Sequence, residues 1–142
     1  MKTRHLAFAL AIIGTGAIAH ANVKDPQVKA RMQLMEQIKD ATGVLGNMAK
    51  QPSTYNQATA AAAKADLIAA STKVTAAFQT PATDPASEAS PKIWENWADF
   101  TAKANGLTSA AQALDASSAQ GVAAGMAGIG GACGACHKPY RL

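Results

Sequence analysis

Two cysteines, Cys133 and Cys136, are the whole thiol content of this 142-residue chain, and its three histidines are His5, His20 and His137. A structural zinc site needs four nitrogen or sulfur ligands, so these few residues exclude one once the segment carrying His5 and His20 is discounted, as argued below. Aromatics make up only 5% of the chain, and alternating β-branched runs are nearly missing, which disfavours sheet. Basic charge is never concentrated: Lys24, Lys29, Lys39, Lys50, Lys64, Lys73, Lys92 and Lys103 stand singly. A nucleic-acid surface wants a clustered basic footprint, so that class of partner is excluded.

What the chain does hold is concentrated in its last ten residues. Cys133-Gly134-Ala135-Cys136-His137 is a CxxCH, the spacing of a covalently attached c-type haem. Two thiols three apart on a helix project from one face and can add across two vinyl groups along one haem edge. The histidine that follows can supply the proximal nitrogen to iron. A thioredoxin-like dithiol would open a helix within a strand-helix-strand unit, whereas here the motif follows helical patterning at the far end of the chain. A Cys133–Cys136 disulfide would close a very short loop and leave His137 without a role.

The N-terminus has the form of a secretory signal peptide over residues 1–21. Lys2 and Arg4 precede an apolar run from Leu6 to Ala19, and Ala19-His20-Ala21 is a small-x-small cleavage site. With Gly14, Thr15 and Gly16 inside it, the run falls short of the ~18–20 apolar residues that span a bilayer. No later stretch is apolar enough, so no membrane span is expected. Export agrees with CxxCH, because bacteria attach this haem outside the cytoplasmic membrane, and the mature protein is expected in the periplasm as one domain, 22–142. Lys2 and Arg4 leave with the leader, so eleven basic side chains face nine acidic ones.

The mature chain is alanine-rich and favours helix. Asp25-Pro26 pairs an N-cap with proline at the first helical position. Val28, Met32, Met35, Ile38, Leu45 and Ala49 follow at helical spacing, up to Gln51-Pro52. Ser53 or Thr54 caps a second helix with Leu67, Val74 and Phe78 on one stripe and small alanines at Ala60 and Ala63, and a loop covers roughly 79–89. Ser90-Pro91 opens a third, continuous through Asn105-Gly106, with Ile93, Trp97, Phe100, Ala104, Leu107, Ala111 and Leu114 along a buried seam. Trp94 lies off that seam. A fourth runs from Ser118 to the C-terminus, its stripe of Val122, Met126, Ile129, Cys133 and Cys136 interrupted by six glycines from Gly121 to Gly134. Four amphipathic helices with short connections make an all-α, antiparallel four-helix bundle with a cofactor among the helices.

These residues resemble the cytochrome c prime family. The likeness is carried by CxxCH continuing as Lys138-Pro139-Tyr140-Arg141, by Arg31 four residues before Met35, and by Pro91-Lys92-Ile93-Trp94 with Phe100. It implies one haem c with its iron, thioethers at Cys133 and Cys136, and His137 as proximal ligand. It places Arg141 near the proximal imidazole, against the plain reading of a solvated terminal arginine. Arg31 would approach a haem propionate, against that of a surface arginine, and Glu88 and Ala89 would pass near the haem edge. Met35 would reach over the distal face, either ligating iron through sulfur or packing over it.

Two functions follow from that choice. Six-coordinate iron suits an electron carrier working with redox partner proteins; five-coordinate iron suits a protein that binds nitric oxide or carbon monoxide. Homodimers through the first two helices are common among such relatives. Enzymatic chemistry is not expected. A distal acid–base group is usually histidine, the mature chain's one histidine is committed to iron, and Asp66 and Asp99 stand isolated on polar faces.

Overall fold

A computed structural model describes residues 23–142; the expected leader, 1–21, lies outside them. The described residues form six helices: α1 (Pro26–Lys50), α2 (Gln57–Ser71), α3 (Val74–Phe78), α4 (Lys92–Glu95), α5 (Trp97–Ala113) and α6 (Ala119–Tyr140). No strand occurs among them. One isolated antiparallel bridge joins Ala89 to Arg141.

Local chemistry sets the helix starts. The Asp25 carboxylate accepts the N–H groups of Gln27 and Val28 at 2.8 and 2.9 Å, and Pro26 has no N–H to leave unpaired. A cap of this kind is worth about 1 kcal/mol. Ser118 caps α6 in the same way, accepting from Gly121 at 3.0 Å. The second segment differs from expectation. Pro52–Thr54 forms a 3-10 turn, Asn56 is the true cap through Thr59, and the helix breaks between Ser71 and Val74. The third breaks as well, at Asn96, while Asn105-Gly106 stays helical. There the i to i−4 bonds on both sides outweigh an isolated turn preference.

Four contacts fix the direction of the helices. At one end of the bundle Arg31, early in α1, bonds the carbonyl of Ala77 in α3. Phe78 packs on Phe100 of α5 at 5.3 Å, and Phe100 packs on Tyr140 at the end of α6 at 5.5 Å. At the other end Lys64 of α2 bonds the carbonyl of Leu114. So α1 and α5 run one way, α2–α3 and α6 the other. The expected antiparallel four-helix bundle is what the chain forms, with α2–α3 and α4–α5 each serving as one broken helix.

The core holds Leu45, Leu67, Ile93, Leu114, Val122 and Ile129, all at most 2% exposed. Each fully buried side chain of this kind contributes about 1.5–3 kcal/mol. In α1 the buried set is Val28, Arg31, Leu34, Ile38, Ala41, Leu45 and Met48. The stripe read from the sequence is thus displaced: Met32, Met35 and Ala49 are only half-buried. The reason is that α1 packs against both α2 and α6, so its apolar arc is wider than one seam.

Candidate haem site

At about 100° per residue, Cys133 lies between the other two on one face of α6, with Cys136 on the side toward α5 and His137 on the other side. The structure agrees, because Lys103 and Asp99 of α5 are among the charges that act on Cys136. Both cysteines are unpaired, half-buried and packed against the core. Burial raises both thiols above their ordinary value, with Lys103 opposing this at Cys136.

His137 is more exposed than the cysteines. Its imidazole is held below the ordinary value, first by loss of solvent and then by the charge of Arg141, with Glu88 pulling the other way. A neutral imidazole is the form that binds a metal.

The opposite wall comes from α1. A Cβ on Gly46 would sit 3.6 Å from the Met126 Cε, which fixes how α1 lies along α6. Eleven residues back along α1 is Met35, and eleven forward along α6 is His137. At 1.5 Å per residue each path covers about 16 Å, so in antiparallel helices the two arrive at the same level. Met35 is half-buried and packed against the core.

The helix surface beside His137 is bare. A Cβ added at Gly130 or Gly134 would meet nothing within 4 Å. Two thiols on one face, an adjacent imidazole, room beside them and a thioether level with the imidazole suit a flat, covalently held macrocycle better than a bare ion. Among the described residues no three His, Cys, Asp or Glu side chains gather to hold a free metal.

The remaining site residues divide into two groups. Glu88, Ala89 and Arg141 come together at the His137 end. Arg141 forms an ion pair with Glu88, its Nε 2.6 Å from the Glu88 carboxylate. Leu142 donates its N–H to the carbonyl of Glu88 at 2.8 Å, and Ser90 to that of Tyr140 at 2.9 Å. The last residues are therefore stitched to the segment before α4. Arg31 is not a surface arginine: it is 3% exposed, and its guanidinium donates to the carbonyls of Ala77, Thr80 and Ala82. Every guanidinium nitrogen is thus engaged with carbonyls at the α3 end.

A family model for cytochrome c prime (cytochrome c') matches residues 26–141. The chain belongs to the cytochrome c prime family. Among curated relatives, cytochrome c-556 of Agrobacterium fabrum is 35% identical over 147 residues, covering 100% of this chain and 96% of that one. A cytochrome c-556 from a strain of Agrobacterium tumefaciens is 36% identical over 119 residues, covering 82% and 97%. Among solved structures, cytochrome c' from Rhodobacter spheriodes superposes with a TM-score of 0.75 at 27% identity, covering 82% of this chain and 95% of that one. A nitric oxide complex of a cytochrome c prime variant from Alcaligenes xylosoxidans gives 0.72 at 28%, covering 81% and 93%. Cytochromes c prime carry covalently attached haem c with its iron, and Cys133 and Cys136 are the two cysteines this member has for it.

One part of the site was missed in the sequence. Asp99, expected to be an isolated solvated carboxylate, accepts from the Tyr140 hydroxyl and from Lys103, each at 2.5 Å. The i, i+4 spacing of Asp99 and Lys103 signals that pair; nothing in the sequence signals Tyr140. Trp94 is half-buried and donates its indole N–H to the Phe78 carbonyl at 2.8 Å.

Proposed function

We propose that this cytochrome is a periplasmic electron carrier rather than an enzyme, exchanging electrons with redox partner proteins. The observation that carries the reading is Met35, half-buried and level with His137 across the α1–α6 interface. Cys133 and Cys136 would hold the haem through thioethers, His137 would supply its nitrogen to the iron, and Met35 would offer its thioether as a further ligand. When bound, the haem supplies a one-electron Fe(II)/Fe(III) couple whose potential methionine ligation raises. Periplasmic placement rests on the leader-like residues 1–21. It agrees with the described residues, none of whose helices is long and apolar enough to cross a membrane.

The deciding experiment is a visible spectrum of the purified, haem-loaded protein, reduced, with and without carbon monoxide. A low-spin spectrum that ignores the gas supports the carrier. A high-spin spectrum that shifts on its addition supports the second reading, a five-coordinate protein that binds nitric oxide with Met35 packed over the iron. That reading draws on the nitric oxide complex among the structural relatives. A second copy would pair through the open groove of about 530 Å³ between α1 and α2, where Ala41, Val44, Ala62 and Ala63 lie beside Asp40, Asp66 and Lys73. Sedimentation of the wild type against Val44→Glu tests it.

A further inference from the structure

We propose that Tyr140 and Asp99 are a positioning pair for the proximal ligand: the hydrogen bond between them fixes the last turn of α6 and thereby the orientation of the His137 imidazole. The proposal rests on His137 ligating haem iron.

The last turn of α6 needs outside support. Pro139 lies inside it and has no N–H, so the bond it would have made to the carbonyl of Ala135 is missing. His137 sits in this weakened turn. One turn of helix further on, Tyr140 is held at three points by other parts of the chain. Its hydroxyl donates to the Asp99 carboxylate at 2.5 Å, with a longer contact to the Asn96 carbonyl at 3.4 Å. Its ring stands edge-on to Phe100 at 5.5 Å. Its carbonyl accepts from Ser90 at 2.9 Å.

The acceptor is itself fixed. Lys103, one turn along α5, holds the same carboxylate at 2.5 Å. Asp99 and Tyr140 also lie close enough to Cys136 to interact with it electrostatically, so the pair borders the attachment point as well as the ligand. Tyr140 is 6% exposed. Phenylalanine would keep the ring contact and the backbone bond, and would place no polar atom in the core. Burying a hydroxyl is favourable only when it is bonded, so the hydroxyl's use lies in its bond to Asp99. A turn free to rotate would carry His137 with it, because residues three apart lie on neighbouring lines of one helix face.

The test uses the haem-loaded protein and its Tyr140→Phe and Asp99→Ala variants, the second removing the acceptor outright, with Leu67→Ala as a control for stability loss elsewhere in the core. Haem content is read by mass, helix content by circular dichroism, and iron environment by ferric EPR. Both variants are expected to carry one haem and native helix content, yet to show shifted or doubled g-values as the imidazole samples more than one orientation. Leu67→Ala is expected to melt earlier with wild-type g-values. The proposal is overturned if Tyr140→Phe and Asp99→Ala melt earlier but keep the wild-type EPR spectrum, because that is the signature of structural support alone. Should Tyr140→Phe fail to fold, Asp99→Ala decides the matter by itself. A wild-type mass equal to bare protein would overturn the site reading first, and this inference with it.

Discussion

The guanidinium of Arg31 lies over the ring of Phe78, 4.8 Å from its centroid, while its Nε donates to the carbonyl of Ala77 at 2.9 Å. Trp94 flanks it on another side at 5.3 Å. One cation thus joins α1, the end of α3 and α4. Burial lowers the affinity of this group for its proton, and Asp25 opposes the shift. Methionine would keep the stem but leave three carbonyls short of a donor. Arg31→Met is expected to lower unfolding free energy by about 3 kcal/mol in urea titration. The loss should be similar with and without haem; a loss confined to the haem-loaded form would mean that Arg31 holds a propionate instead.

Glycines of α6 fall into two kinds, and substitution separates them. A Cβ on Gly125 would lie 2.8 Å from the Leu114 Cγ and 3.1 Å from its Cα, too near backbone to be relieved by a rotamer change. At Gly131 it would meet nothing within 4 Å. Gly125→Ala should therefore destabilise by about 1–3 kcal/mol through overpacking. Gly131→Ala should stabilise by up to about 1 kcal/mol through helix propensity. Thermal melts of the two variants under one condition check both signs.

Gly125 also shows where sequence reading stops. The four arms of the bundle and the α6 stripe follow from periodicity and caps, since Asp25, Ser118 and the proline positions act within a few residues of themselves. CxxCH is equally local: its chemistry is complete in five letters. The displaced stripe of α1 is not local, because which residues are buried depends on two neighbouring helices at once. The Asn96 break and the Tyr140–Asp99 bond are likewise tertiary, the latter spanning 41 residues. Glycines packed on Leu114 and glycines facing open space look the same in a sequence.

Asp84 ties the start of the described chain to the loop after α3. Its carboxylate accepts from Lys24 and Ala86 at 2.9 Å and from Asp25 at 3.1 Å. The backbone bonds to Ala86, Asp25 and Lys24 depress its affinity for a proton below the ordinary 3.8. A carboxylate with a depressed folded pKa stabilises the fold above the unfolded value, and the contribution is lost as pH falls through the folded one. Asp99 and Asp115 act in the same direction, chiefly through Lys103 and Ser117. Tyr140 runs opposite: Asp99 pushes it up to about 12, so its share is complete below 10 and fades as pH rises toward 12. Urea midpoints should thus fall on both limbs. Asp84→Ala should be less stable than wild type at pH 7, with the gap narrowing as pH drops below 3.8.

Met35 is the residue on which ligand choice turns, and leucine is the substitution that isolates its sulfur. The two side chains are close in volume, so a half-buried site of this kind should lose less than about 1.5 kcal/mol, and helix content should not change. If the thioether occupies iron, its removal leaves a position open beside an apolar wall. Reduced Met35→Leu is then expected to turn high-spin and to bind carbon monoxide, while the wild type stays low-spin and indifferent to the gas. Its midpoint potential should fall with the loss of methionine ligation. Identical spectra for the two proteins, both responsive to carbon monoxide, would show that Met35 only packs. Gas binding would then replace electron transfer as the function this level pairing with His137 serves.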